Sequence, residues 1–378
     1  MSAPLLIAGG GIGGLTLAAL LRRRGREFLV LERTPRFAPV GAGLVLQPNV
    51  IKALRIGGIE EEVTSRGEAM QRLQVRDDRG RVLSSVESSE FRARFSAGVL
   101  GFHRATLHAA LLDLIPPSSI RLGANVRAFS QTETSVSVEL ESGERIEGAG
   151  LVGADGLQSV IRGQLWNDGE PRYAGYTSWR GVTARESHWP SGHMCESWGR
   201  GARFGLVAID GDRLYWFATA NAPPGGGDVG KAGLQRRFAG WHDPIPAVIE
   251  STPADAILRT DISDRDPVQK WSEGRATLLG DAAHAMTPNL GQGGGQAIED
   301  AVVLDLVLSA EKELAPAFRD YESRRWARTA RVVRESRRFG RVGQWENAAI
   351  RAARDFALQA TPLFVTLRSL RWLYDFDA

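Results

Sequence analysis

Three glycines near the start of the chain have the spacing needed to cradle a phosphate. Gly9, Gly11 and Gly14 form a G-x-G-x-x-G pattern. Leu5–Ala8 predicts a buried strand before them and residues 15–24 predict a helix after them, which is the context that this pattern requires. Glycine permits the tight turn and the close approach of backbone to a pyrophosphate, whose charge a helix N-terminus stabilises.

A carboxylate follows at the distance expected for a ribose contact. Glu32 ends a second predicted strand, residues 27–32, and its carboxylate can accept hydrogen bonds from a ribose hydroxyl pair. With Gly13 and Arg33 as further candidate cofactor residues, the first 33 positions predict a βαβ unit that binds an adenine dinucleotide. This motif alone leaves FAD and NAD as alternatives.

Two motifs further along the chain combine glycine and aspartate. Gly153-Ala154-Asp155-Gly156 is followed by Ser159 and Arg162, and Gly280-Asp281-Ala282-Ala283-His284 is followed by Pro288 and a glycine-rich run at 291–295. Asp155 could instead cap a helix, and His284 looks like a general base when taken in isolation. No second G-x-G-x-x-G follows a strand, so no resident nicotinamide domain is expected.

With these three motifs in this order, the chain resembles the group A flavoprotein monooxygenases over roughly residues 4–330. The family includes aromatic hydroxylases related to 4-hydroxybenzoate and salicylate hydroxylase. The resemblance implies tightly bound FAD, NADPH or NADH as a transient electron donor, and a flavin C(4a)-hydroperoxide formed with O2. The expected reaction inserts one oxygen atom into a small aromatic or heteroaromatic substrate.

The resemblance also implies roles for individual residues. Asp281 would bind a ribitol hydroxyl of FAD, Arg104 would reach its phosphates and ribitol, and Asp155 would serve FAD and NAD(P)H. Amides of the glycine-rich run would face the flavin pyrimidine edge, where negative charge develops on reduction. The remaining cofactor candidates are Gly43, Val126, Gly291, Gly293 and Gly294. His284 would be structural.

Residues 171–260 alternate in strand fashion and are rich in aromatic side chains, which predicts a substrate pocket between this segment and the flavin. This part of the chain resembles the FAD-dependent urate hydroxylases and their zeaxanthin epoxidase-like relatives. In the urate enzymes an arginine and a tyrosine hold an anionic heterocycle, and Arg203 and Tyr215 resemble that pair. Together with Pro288 they are the catalytic candidates. A surface charge is the alternative for Arg203, and core packing is the alternative for the predicted pocket walls, Trp179, Trp198, Phe204, Leu206, Phe217 and Met286.

The expected fold is α/β: a Rossmann-like FAD-binding domain of the glutathione-reductase type with an inserted, mostly antiparallel β-sheet substrate domain and C-terminal helices. The FAD-binding domain is predicted to comprise 1–70, 98–170 and 262–330. Segments 71–97 and 171–261 form the substrate domain, and 331–378 forms the C-terminal helices. Residues 100–115 are predicted to form one helix.

Composition narrows the classes of function. The single cysteine, Cys195, excludes an internal disulfide, and no metal site is predicted. The formal charge of +3 comes without a recognised nucleic-acid module, so no nucleic-acid partner is expected. The absence of a signal peptide and of long apolar runs predicts a cytoplasmic protein without a transmembrane segment, either monomer or homodimer. The apolar segment 356–374 could cover the active site, form a dimer contact or touch a membrane surface.

Two other readings of the flavin fold remain open. The first is a non-hydroxylating flavin oxidase, and the second is a flavin-fold binding protein without catalysis. A third, a flavin halogenase, is disfavoured because residues 240–246 lack the second tryptophan of the halogenase element. Within the monooxygenase reading, the chain could be a urate-type hydroxylase or an isoprenoid or quinolone epoxidase-hydroxylase.

Overall fold

The computed structural model describes residues 3–37, 41–185, 189–226 and 230–378. The strands in these ranges are β1 (Leu5–Ala8), β2 (Phe28–Glu32), β3 (Gly43–Leu46), β4 (Glu68–Ala69), β5 (Arg72–Asp77), β6 (Val82–Glu87), β7 (Leu100–His103), β8 (Ile120–Leu122), β9 (Val126–Gln131), β10 (Val136–Leu140), β11 (Arg145–Gly148), β12 (Gly150–Gly153), β13 (Arg172–Ala184), β14 (His193–Trp198), β15 (Ala202–Ile209), β16 (Arg213–Asn221), β17 (Leu258–Asp264), β18 (Ser272–Glu273) and β19 (Ala276–Leu278).

The helices are α1 (Ile12–Arg23), α2 (Pro48–Gly57), α3 (Glu60–Thr64), α4 (Ser88–Phe95), α5 (Arg104–Leu112), α6 (Val160–Trp166), α7 (Gly230–Phe238), α8 (Ile245–Ser251), α9 (Asp281–His284), α10 (Gly293–Ala310), α11 (Leu314–Gly343), α12 (Ala348–Ala360), α13 (Leu363–Ser369) and α14 (Arg371–Tyr374). Short 3-10 helices span Pro117–Ser119, Ala254–Ala256 and Pro288–Leu290.

A six-stranded sheet with the order β18-β19-β12-β1-β2-β8 carries the N-terminal βαβ unit. β1 pairs in parallel with β2 and β12, so that Leu5 lies opposite both Phe28 and Gly150. Every residue of β1 is buried, as expected for a parallel strand inside an α/β layer. The predicted α/β fold with an inserted antiparallel sheet and C-terminal helices is confirmed.

A seven-stranded sheet has the order β17-β13-β16-β15-β14-β5-β6. Its strands come from both segments that we group as the substrate domain. Because side chains alternate along each strand, the sheet has two faces. The outer face, which includes Trp216, packs with residues of α7 and α8. The inner face, which includes Tyr215, packs with residues of α4 and the C-terminal helices.

The chain from residue 293 onward is helical almost to its end, as the sequence predicts. α10 contacts α1 and α11, and α11 buries Phe318 and Tyr321 in the same core as β1. None of the helices in the described ranges has the length and apolar content to cross a bilayer.

The single helix predicted for residues 100–115 is wrong at its start. Leu100–His103 forms β7, which pairs antiparallel with β3 and β4, and α5 begins only at Arg104. The side chain of His103 caps this helix by accepting a hydrogen bond from the Ala105 amide. Pairing with distant strands overrides the local helical pattern.

Candidate active site

The glycine-rich loop joins β1 to α1 with close contacts that exclude side chains. Gly9 has a φ of +113°, and a Cβ at Gly14 would lie 2.1 Å from the carbonyl oxygen of Gly9. Gly9 and Gly14 therefore require glycine, whereas a Cβ at Gly13 would lie 2.5 Å from a methyl group of Leu279, which would have to move. A Cβ at Gly11, by contrast, would meet no atom within 4 Å. The space at the N-terminus of α1 is therefore open to a phosphate.

Glu32 is fixed at the edge of this loop. Its carboxylate accepts hydrogen bonds from the amides of Gly10, at 2.7 Å, and Thr34, at 2.8 Å. An ionised carboxylate has about four acceptor sites, so two bonds leave capacity for ribose hydroxyls. Arg33, the next residue, is exposed.

His108, on α5, contacts this loop, and the sequence analysis missed it. Its Nε2 lies 2.8 Å from the carbonyl oxygen of Gly10, and its ring packs edge-on against Phe37. Burial lowers the pKa of His108. The imidazole is thus neutral near pH 7, and because a carbonyl only accepts, Nε2 carries the proton. The position of His108 in the middle of α5 gave no signal of this contact.

A second helix N-terminus meets the first beside Asp281. A Cβ at Gly293 would lie 3.9 Å from Asp281 Oδ1, and one at Gly294 would lie 3.4 Å from Ile12 on α1. The Asp281 side chain is exposed beside these two helix N-termini. Desolvation by the surrounding protein raises the pKa of Asp281, and its electrostatic interactions with His284 and then Arg104 partly oppose that rise. Asp281, Arg104 and two helix N-termini therefore face one groove.

The loop between Asp281 and α10 is held by a hydrogen bond from the start of α2. Gln47, the residue before α2, donates to the carbonyl oxygen of Leu290 at 3.0 Å. Gly291 has a φ of +64°, a conformation that favours glycine. Pro288 is exposed at the start of the 3-10 turn. These contacts fix the backbone of the glycine-rich run, which supports the amide role that we expect for it.

Asp155 accepts hydrogen bonds from the N-terminus of α6, the helix that follows it. Its Oδ1 accepts a hydrogen bond from the Ser159 hydroxyl at 2.6 Å, and its Oδ2 accepts one from the Val160 amide at 2.8 Å. Burial raises its pKa. Arg162, on the same helix, is buried and donates to the carbonyl oxygens of Ala282 and Ala283. The Asp-Gly motif thus caps α6 and, through Arg162, supports the turn that carries Asp281.

Behind this turn lies a buried charged network that the sequence analysis also missed. His284 and Arg325 both contact Asp300, and Arg325 Nη1 also lies 2.6 Å from Glu299. Arg328 joins the network through Glu299. The sequence does carry a signal of this network, because Glu299 and Asp300 are adjacent acids in a mostly apolar helix. The network places His284 in a structural role, in agreement with the resemblance.

The strand register divides the predicted pocket residues between the two faces of the seven-stranded sheet. Trp179 on β13 lies opposite Ala218 on the neighbouring strand β16. On the other side of β16, Phe204 of β15 lies opposite Ala218 and Leu206 lies opposite Trp216. All of these belong to the outer-face core. The prediction that Trp179, Phe204 and Leu206 line the pocket is therefore corrected: the period of two directs them away from the cofactor groove.

The inner face brings the other candidates together. Tyr215, Phe217 and Met286 belong to one apolar cluster, in which Phe217 and Met286 keep part of their surface exposed. Trp198 shares this face, but its ring packs against Phe339 of α11. A Cβ at Gly43 would lie 2.3 Å from the Tyr215 ring, so the Tyr215 side chain packs directly against the backbone of β3. Burial raises the pKa of Tyr215 to about 12.

Arg203 is on the inner face but is almost fully buried and paired. Its Nη1 lies 3.0 Å from Glu196 Oε1, and its Nη2 donates to the side-chain oxygen of Asn289. The Asn289 oxygen also accepts a hydrogen bond from Tyr176 at 3.2 Å. Arg203 is thus neither a surface charge nor a free guanidinium, and it links the sheet to the Pro288 turn.

Val126 lies at the start of β9, buried and paired with Leu140. Its contact with the cofactor stays a prediction.

Within the described ranges, no three side chains of His, Cys, Asp or Glu are grouped so that they could hold a metal ion.

The groove fits FAD, because it offers an open helix N-terminus, the Glu32 carboxylate with remaining acceptor capacity, and the Asp281 carboxylate, which has no hydrogen-bond partner among the described residues. The family described as FAD binding domain matches residues 2–336, and the chain belongs to it. It is an FAD-dependent monooxygenase.

Named relatives agree with this class. The chain is 47% identical over 346 residues to an aurachin C monooxygenase/isomerase of Stigmatella aurantiaca, covering 91% of this chain and 90% of the relative. It is 32% identical over 341 residues to an FAD-dependent urate hydroxylase of Klebsiella pneumoniae subsp. pneumoniae, covering 88% of both. The solved structure of Klebsiella pneumoniae HpxO with FAD and uric acid matches with a TM-score of 0.91 and 28% identity, over 97% of this chain and 95% of that one.

Proposed function

We propose that this protein uses NAD(P)H and O2 to insert one oxygen atom into a neutral heteroaromatic substrate of the quinolone kind. The observation that carries the choice of substrate is the pairing of Arg203 with Glu196 on the inner face. A guanidinium whose charge is already balanced by a carboxylate offers little to an anionic purine. The similarity to the aurachin C enzyme supports the same choice over a urate-type hydroxylase.

FAD, when bound, would supply the electron transfer and the oxygen activation. The residues of this chain would bind and orient it: Glu32 at a ribose, the N-terminus of α1 at the pyrophosphate and Asp281 at the ribitol. The amides of Gly293 and Gly294 open α10, so the positive end of that helix dipole would stabilise negative charge at the flavin edge. Arg104 would add a positive charge to the same groove.

The substrate would lie between this groove and the inner face. Phe217 and Met286 present partly exposed apolar surface there, which suits a flat, uncharged ring. The raised pKa of Tyr215 keeps its hydroxyl protonated, so it would donate a hydrogen bond rather than remove a proton. The apolar walls would also exclude water from the reacting atoms.

The electron donor would be transient. We propose that NADPH or NADH visits the groove and leaves, since the chain carries one dinucleotide motif and Glu32 serves FAD. We also propose that the protein acts in the cytoplasm as a monomer or homodimer.

The test is a substrate screen with the purified FAD-loaded protein. Aurachin C, simple 4-quinolones, urate and phenols are each added, and NADH or NADPH oxidation is followed under labelled O2, with product mass measured. We expect quinolones or aurachin C to stimulate oxidation and the product to gain one labelled oxygen atom. Stimulation by urate alone would overturn the substrate proposal. Peroxide release without labelled product would indicate a flavin oxidase.

A further inference from the structure

Large apolar side chains are exposed close together in the chain, on and beside α12 and α13. Within the described residues, Phe356 and Phe364 are the most exposed large apolar side chains, at 72% and 70%. Three further exposed side chains lie close to them in the chain, Trp345, Ile350 and Val365. These five side chains are called the apolar surface below. Isolated exposed apolar residues are ordinary, but several in one short stretch of chain are typical of an interaction site.

The helix that carries Phe356 presents no exposed charge. On α12, Arg351 is partly buried and pairs with Asp78, and Arg354 is buried beside Asp355. The remaining solvent-facing positions are mostly alanine. The charges of α12 point inward and its outer side is apolar, the reverse of what a solvated surface helix needs.

The segment that carries the apolar surface is rich in arginine. Residues 331–378 contain nine arginines and five acidic residues, in a chain whose net charge is only +3. Arg368 follows Phe364 by four positions on α13, so both project from the same side of the helix. The exposed arginines of this segment are Arg331, Arg334, Arg338, Arg341, Arg368 and Arg371, whereas Glu346 and Asp377 are its exposed acids.

We propose that the apolar surface docks on the interface of a lipid membrane that carries anionic headgroups. Aromatic tips enter the boundary between headgroups and acyl chains, and arginines pair with the headgroups. A second copy of the chain is the competing occupant. A symmetric pair would place two arginine-rich segments against each other, so charge complementarity favours the anionic lipid.

Vesicle co-sedimentation of the FAD-loaded protein tests this proposal. The vesicles contain either phosphatidylcholine alone or equimolar phosphatidylcholine and phosphatidylglycerol. We expect binding to the anionic vesicles that weakens as salt is added, since surface charge attraction is screened. A double variant, Phe356→Ser with Phe364→Ser, should lower the apparent affinity by at least about tenfold. Arg368→Gln should lower it by about fivefold.

The matched control is Val160→Ser with Leu258→Ser, both 40% exposed elsewhere on the molecule, which should bind like the native protein. Flavin absorbance and NAD(P)H oxidation, measured in each variant, establish that it is folded. Equal binding by the phenylalanine variant, or no binding to anionic vesicles, would overturn the proposal. So would a dimer in solution that the phenylalanine variant converts to monomer.

Discussion

His284 and Asp300 form a fully buried pair, with His284 Nε2 2.5 Å from Asp300 Oδ2. The same oxygen accepts the Gly280 amide at 3.0 Å, and Oδ1 accepts Arg325 Nε at 2.7 Å. One carboxylate therefore ties the turn that carries Asp281 to α10 and α11. Its ionisation should control how firmly the cofactor groove is held.

The first prediction concerns stability against pH. Burial raises the pKa of Asp300, but the charges of His284 and Arg325 outweigh burial and bring it to about 2, below the ordinary 3.8. A depressed pKa contributes stability that is present above the ordinary value and is lost as pH falls toward the folded value. We expect Asp300→Asn to cost about 3–5 kcal/mol in the free energy of unfolding near neutral pH.

Urea unfolding at a series of pH values checks this. The difference between native protein and Asp300→Asn should shrink as pH falls below about 4. Asp320→Asn is the control, because Asp320 forms only an exposed pair with Arg324 and should cost less than about 1 kcal/mol. A difference that stays constant down to pH 3 would contradict the assignment.

The second prediction concerns cofactor affinity. Asp281 faces the groove with its carboxylate exposed, so Asp281→Asn replaces a charged acceptor for a ribitol hydroxyl by a neutral amide. Hydrogen bonds to charged groups contribute about 1.5–3 kcal/mol, which predicts roughly 10- to 100-fold weaker FAD binding. The dissociation constant of FAD, measured by flavin fluorescence with the apoprotein, checks it. Unchanged affinity would remove Asp281 from the cofactor site.

The third prediction separates a structural from a substrate-binding role for Arg203. Arg203→Gln leaves Glu196 without its cation, and we expect a loss of about 3 kcal/mol in unfolding free energy. The double variant with Glu196→Gln should recover part of that loss because it removes the uncompensated carboxylate. Chemical unfolding of both variants is compared with their kcat and KM. If Arg203→Gln keeps full stability but raises KM steeply, Arg203 binds an anionic substrate instead.

The fourth prediction tests the packing of Tyr215 on Gly43. A Cβ at Gly43 would lie 2.3 Å from the ring, so Gly43→Ala must displace Tyr215 or β3. Overpacking of this kind costs about 1–3 kcal/mol, and the shifted ring should raise KM for the substrate. Steady-state kinetics and thermal unfolding check both effects.

Gly163→Ala is the matched control for this substitution. Gly163 lies in α6 with nothing within 4 Å of an added Cβ, so alanine should stabilise the protein by about 0.5–1 kcal/mol and leave KM unchanged. If Gly43→Ala behaves like this control, Tyr215 is not held by β3.

The sequence alone predicted that the cofactor contains an adenine dinucleotide, because the residues expected to bind it lie close together in the chain. Gly9 and Gly11 lie in the loop after β1, Gly14 lies in the first turn of α1, and Glu32 ends the next strand, so a βαβ unit must bring them together. The turn with Asp281 and the glycine-rich run lie likewise within a single stretch of chain. The fold class followed from these motifs and from the family that they resemble.

Only the tertiary structure decided which side chains face the groove. Trp179 and Phe217 are both aromatic residues in predicted strands, and the sequence does not distinguish them. The register of β13 and β16 places them on opposite faces of the sheet. The partners of Arg203 and Asp300 come from distant parts of the chain: Asn289 lies 86 positions from Arg203, and Arg325 lies 25 from Asp300. Pairing across such separations depends on how helices and sheets pack, and local sequence patterns do not encode it.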